Sequence, residues 1–62
     1  MKFRDVRKRL RNGGWRLMRT RGDHEQWTNP TEPGRRVTVA GHDSKEVAPK
    51  TLRSIFKQAG WK

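Results

Sequence analysis

WRLMRTRGDHEQWTNPTEPGRRVTVA, residues Trp15 to Ala40, is the stretch whose reading decides the fold. It breaks into three β-prone runs, Trp15 to Arg19, His24 to Thr28 and Arg36 to Ala40. The separators are Thr20-Arg21-Gly22-Asp23 and Asn29-Pro30-Thr31-Glu32-Pro33-Gly34, both rich in residues that favour turns. Three strands joined by two short loops make an antiparallel meander. Val37 and Val39 alternate with polar neighbours, as do Trp15 and Leu17, which predicts one apolar and one polar sheet face.

The flanks read differently. From Lys2 to Asn12, Phe3, Val6 and Leu10 recur at helical spacing, with Lys2, Arg4, Arg7, Lys8, Arg9 and Arg11 on the remaining faces. This is an amphipathic, basic helix, and Asn12-Gly13-Gly14 ends it, since glycine readily takes the left-handed conformation of a helix terminus. From Pro49 to Ala59, Leu52, Ile55, Phe56 and Ala59 form a second apolar stripe, with Gly60 as its stop. Pro49 suits a first helical turn, while Ala48 is a poor cap. Leu52, Ile55 and Phe56 are predicted core. Trp15 and Trp61 are more often packing residues than base-stacking platforms. The fold class is α+β, in the order α-β-β-β-α, with both helices on the apolar face of a three-stranded antiparallel sheet. Its 62 residues make a single domain, 1–62, with only a thin core.

Composition narrows the function. Cysteine is absent, which removes disulfides, thiolate nucleophiles and cysteine-ligated zinc together and suits a reducing, cytoplasmic setting. No apolar run reaches the length of a signal peptide core or a membrane span, so a membrane partner is not expected. Sixteen Lys and Arg against six Asp and Glu give a formal net charge of +10. Such a surface repels itself and suits a polyanionic partner, nucleic acid first and an acidic protein second. Arg16, Arg19, Arg21, Arg35, Arg36, Lys45 and Lys50 are the candidate phosphate contacts, within reach of one sheet edge.

Alternation places His24, Gln26 and Thr28 on one face of the second strand and Glu25 and Trp27 on the other. With Trp27 in the core, His24 points from the open face, where Arg16, Met18, Arg36 and Thr38 are its expected neighbours. A histidine among cations on an open face is a candidate for proton transfer to a phosphodiester, with the arginines offsetting the charge of the attacked phosphate. The alternative is a histidine that simply bonds the turn backbone after Gly22-Asp23. Gly22, Gln26 and His42 are candidates for auxiliary roles. His42, in Gly41-His42-Asp43, is placed to approach the open face or the first loop, as a second acid-base group or as a loop residue with a structural or substrate-contacting role. His24 and His42 with Asp23 and Asp43 lack the spacing of a metal motif, so neither a metal nor a small-molecule cofactor is expected.

The chain resembles the HicA-type mRNA interferases, the toxin half of HicA-HicB toxin-antitoxin systems, nearly from end to end. The resemblance is carried by the basic first helix ending in Asn12-Gly13-Gly14-Trp15 and by Arg21-Gly22-Asp23-His24, similar to the family's Arg-Gly-Ser-His. It continues through the Asn29-Pro30 to Pro33-Gly34-Arg35 hairpin and the Val37-Thr38-Val39 strand. Its most specific part is the ending Pro49-Lys50-Thr51-Leu52-Arg53-Ser54-Ile55-Phe56-Lys57-Gln58-Ala59-Gly60. The resemblance implies a double-stranded-RNA-binding-domain-like fold, metal-independent cleavage of mRNA with His24 as the essential residue, growth arrest, and neutralisation by a HicB-type antitoxin covering the active face. Two positions depart from the pattern. Asp23 stands where Ser is usual and Glu25 where many relatives carry a second histidine, so two acids are expected to flank His24 and repel phosphate. A non-catalytic RNA-binding module suits the same fold and charge. A DNA-binding regulator ranks last, because no helix-turn-helix spacing is present.

Overall fold

The computed structural model describes residues 1–62 and has the predicted order: α1 Phe3–Asn12, β1 Arg16–Arg21, β2 His24–Thr28, β3 Arg36–Ala40 and α2 Pro49–Ala59. The strands form one antiparallel sheet in the order β1-β2-β3. Phe3, Val6 and Leu10 bury one side of α1. Ahead of it, the Asp5 carboxylate accepts the Lys2 backbone N–H at 3.1 Å, placing an acid where the helix dipole favours negative charge. Gly13 ends α1 with φ −88°, and the left-handed turn comes one residue later, at Gly14. In α2, Pro49 occupies the first turn, Ala48 provides no side-chain cap, and Gly60 closes the helix in the left-handed conformation.

The first hairpin is tighter than its sequence suggests. Arg21 pairs with His24, so the loop is Gly22-Asp23 alone. Only Gly22 has positive φ, the pattern of a type II′ turn whose twist matches the strands it joins. Strand β1 therefore runs to Arg21 and begins at Arg16, leaving Trp15 buried just ahead of it. Its register slips between Leu17 and Arg19, with Met18 as the extra residue of a bulge. Beyond the bulge, the open face receives Arg19 and Arg21, whereas unbroken alternation puts Met18 there.

The core lies between the sheet and the helices: Trp27, Val37 and Val39 from the sheet, Phe3, Val6 and Leu10 from α1, and Ile55 and Ala59 from α2. Trp15 and Val47 complete it from the connections. Two expectations need correction. Leu52 and Phe56 are only half-buried. Phe56 meets Trp61 edge-on at 5.2 Å, and the Arg9 guanidinium lies over both rings, so this corner is an aromatic clasp between the helices, outside the core proper. Leu17 shares the core face with Trp27, its cross-strand partner, but remains 47% exposed because the helices leave β1 uncovered.

The two edges of the sheet differ. At β3, the Gln58 side chain of α2 accepts the Thr38 backbone N–H at 2.8 Å, and Ser54 holds the same amide group. Nothing comparable covers β1. On the helices, Arg4, Lys8, Lys50, Arg53 and Lys57 are exposed, as are Arg9, stacked on the aromatic clasp, and Arg11, whose guanidinium lies over the Trp27 ring.

Candidate nucleic-acid interface

The open sheet face is assembled by the register. Arg16 lies beside Thr28, Arg19 beside Gln26 and Arg21 beside His24, while β3 contributes Arg36, Thr38 and Ala40 opposite the same three β2 residues. His24 thus stands on a polar, cationic surface, as its alternation with Trp27 predicts. Its imidazole is 66% exposed, with Nδ1 3.0 Å from the Asp23 Oδ1. A carboxylate at that atom favours the proton on Nδ1 and leaves Nε2 with its lone pair directed away from the turn.

Of the seven predicted phosphate contacts, Arg16, Arg19, Arg21 and Arg36 share this face. Arg35 turns toward α2, where it pairs with Glu32 at 3.3 Å, donates to the Gln58 carbonyl and lies against Gly60. Lys50 belongs to α2, on the opposite side of the sheet, and Lys45 to the loop that joins β3 to α2. The cations therefore form an open-face cluster and a separate helix-side population, rather than one continuous track.

Next to the hairpin lies an open groove of about 720 Å³ with no hydrophobic residue in its lining. Thr20, Gly22, Asp23 and Glu25 from the hairpin, Arg7 and Arg11 from α1, and Gly41, His42, Asp43 and Ser44 from the loop line it. His42 therefore sits beside the first turn, one of the two places its sequence position allows. Gln26 is half-buried on the open face, next to Arg19.

Glu25 does not flank His24. It points to the helix side, where Oε1 accepts Arg7 Nε at 2.9 Å and Trp27 Nε1 at 3.2 Å. Arg7 also donates to Asp43 Oδ1 and to the Gly41 carbonyl, both at 2.6 Å. One buried guanidinium thereby holds α1, β2 and the loop bearing His42 together. Burial alone would lower its pKa, but the bonds and charges of Glu25 and Asp43 outweigh that and raise it above the ordinary arginine value. Arg7 remains charged, and only Asp23 of the two substituted acids stands beside His24.

Gly41 makes the loop's close approach possible: its φ is +153°, and a Cβ there would fall 2.3 Å from the Phe3 ring. Buried Asn29 fixes the other end of the sheet, donating to the Gly13 carbonyl and accepting from the Thr31 backbone and hydroxyl. Sequence reasoning missed both Arg7 and Asn29.

The sequence profile of the HicA toxin of bacterial toxin-antitoxin systems matches residues 3–61. The chain belongs to the HicA toxin family. It is the toxin of a toxin-antitoxin system, and its partner is an antitoxin. The match covers both helices and all three strands, so this HicA-family toxin carries the resemblance through its whole fold and not through the histidine turn alone. No curated protein matches the chain in a direct sequence comparison. No helix of the toxin is long and apolar enough to cross a membrane.

Proposed function

We propose that this toxin is an endoribonuclease that cleaves mRNA at its open sheet face without a metal ion, with His24 as the acid-base residue. The observation that carries the reading is the exposed imidazole of His24 among Arg16, Arg19, Arg21 and Arg36, with the Asp23 carboxylate at its Nδ1. Such a face suits RNA, whose 2′-hydroxyl is an internal nucleophile needing only a base, a held phosphate and a protonated leaving group. His24 Nε2 takes the 2′-hydroxyl proton as that oxygen attacks phosphorus. The P–O5′ bond breaks, and the 5′-oxygen takes a proton from the imidazolium or from water, leaving a cyclic phosphate and a 5′-hydroxyl. The arginines hold the phosphate and offset the charge that builds on it. The donor set favours this route over a metal-bound water, because no three His, Cys, Asp or Glu side chains are grouped to hold an ion. His42 and Ser44, in the adjoining groove, are placed for contacts with the flanking nucleotide.

His24→Ala tests the reading. The side chain is exposed and supports nothing in the core, so the variant folds, while cleavage falls by about 10²–10⁴-fold and growth arrest is lost. Primer extension on several mRNAs during induced expression reads both effects. Unchanged cleavage by a well-folded variant rejects the assignment. Salt-sensitive RNA binding without cleavage by either protein favours a binding module.

The antitoxin we assign is of the HicB type, covering the open face with a charge-complementary surface and so drawing on the same cations as RNA.

A further inference from the structure

We infer that the outer edge of β1 receives a β-strand of the antitoxin, one whose acidic side chains alternate with apolar ones, so that the toxin is neutralised by extension of its own sheet. The inference rests on the antitoxin partner that family membership supplies and not on the nuclease reading.

Three observations converge on this edge. The first is backbone chemistry. An edge strand presents a row of N–H and C=O groups able to pair with another chain. The toxin covers one edge and leaves the other bare: Gln58 takes the outward N–H of Thr38 on β3, whereas β1 has no hydrogen-bonding neighbour beyond β2. The second is apolar exposure. Apart from Met1, the large hydrophobic side chains left in water are Leu17 at 47% and Met18 at 64%, adjacent on this strand. An edge built only to discourage pairing would carry charge there. The third is charge. Arg16, Arg19 and Arg21 project from the open face of the same strand.

Together these features select the occupant. A second copy of the toxin pairing antiparallel through β1 would place the three arginines of each copy side by side on one face of a continuous sheet, and like charges directly opposite destabilise a strand pair. An acidic strand makes the opposite arrangement favourable, with apolar residues meeting Leu17 and Met18. The bulge at Met18 breaks the ladder into two short segments, so the added strand needs a matching irregularity to follow the whole edge. That requirement discourages unrelated strands. A strand in this position also brings its carboxylates next to Arg21 and its cross-strand partner His24, in competition with the phosphates of RNA.

Backbone amide hydrogen exchange on the full-length toxin, alone and in complex with the antitoxin encoded with it, tests the inference. Outward amides of Arg16 to Arg21 should slow at least tenfold in the complex, and Met18→Asp should weaken the antitoxin Kd at least tenfold while leaving the melting temperature unchanged. Unchanged β1 exchange in a stable complex overturns the inference, as does protection confined to the half-buried Leu52 and Phe56 side of α2. Protection that grows with concentration in the toxin alone overturns the choice of occupant in favour of a second copy. None of these readouts depends on RNA cleavage, so the nuclease assignment stands or falls separately.

Discussion

Arg7→Leu removes the guanidinium that ties α1, β2 and the loop after β3 together, and its cost can be worked from the contacts. Bonds to charged groups contribute about 1.5–3 kcal/mol each. Asp43 is 68% exposed, so its share is screened and small. The bonds to Glu25, 20% exposed, and to the Gly41 carbonyl carry most of the effect. Removing Arg7 also strands the Glu25 carboxylate, with Trp27 Nε1 as its remaining partner. Breaking a buried pair from one side costs about 3–5 kcal/mol, and the partial exposure here puts the expectation near the lower figure, about 3 kcal/mol. At about 0.05–0.15 kcal/mol per residue, that is a large part of what a chain of this size possesses. With about 4–8 °C per kcal/mol, the melting temperature should fall by about 12–24 °C. The double variant Arg7→Leu/Glu25→Gln removes both charges and keeps an acceptor for Trp27 Nε1 but still leaves the Gly41 carbonyl without its donor, so it should recover part of the loss, about 1–2 kcal/mol. Thermal and urea unfolding followed by circular dichroism measure all three proteins. A loss below about 1 kcal/mol in the single variant, or a double variant no more stable than the single, refutes the reasoning.

Three further outcomes rest on geometry already described. Gly41→Ala forces a methyl into the Phe3 ring at a φ that side chains rarely adopt, so overpacking and strain together should cost about 3 kcal/mol in urea unfolding. Gly22→Ala, with open space around it, should cost only the turn conformation, about 1–2 kcal/mol. For single-stranded RNA, Arg19→Gln or Arg36→Gln should lower the slope of log affinity against log salt by about 0.7 each, and Lys50→Gln should change it little. Titrations at several ionic strengths check this, and an equal effect at Lys50 would mean that RNA engages the helix side.

The element order was legible because each element announces its period: two in β3, where Val37 and Val39 alternate, and 3.6 in α2, where Ile55 and Ala59 repeat. The face of His24 was legible for the same reason, since one residue fixed in the core, Trp27, fixes the direction of its neighbours. The bulge was not, because counting by twos assumes an unbroken ladder, and a single extra residue at Met18 exchanges the side chains beyond it. Arg7 did leave a signal. It occupies the i+4 position of the stripe Phe3, Val6, Arg7, Leu10, where a cation is out of place unless an acid meets it. Glu25 left the matching one, an acid on the core side of β2. Read singly, each passes for surface charge; only the fold brings residues 7, 25 and 43 together. Half-burial of Leu52 and Phe56 was hidden because a stripe shows which side of a helix is apolar and not how much of it the sheet covers.

The cations on the outside of the helix layer have a consequence for the neutralised toxin. The helices that bear most of them pack on the other face of the sheet from the open-face arginines, and the Cα atoms span 18 Å even along the shortest axis. At physiological ionic strength, electrostatic influence decays over about 8 Å. Under the proposed binding mode, an antitoxin on the open face would therefore leave the helix-side field in place. Such a complex should still be retained on a polyanion such as heparin, with a weaker salt dependence than the free toxin.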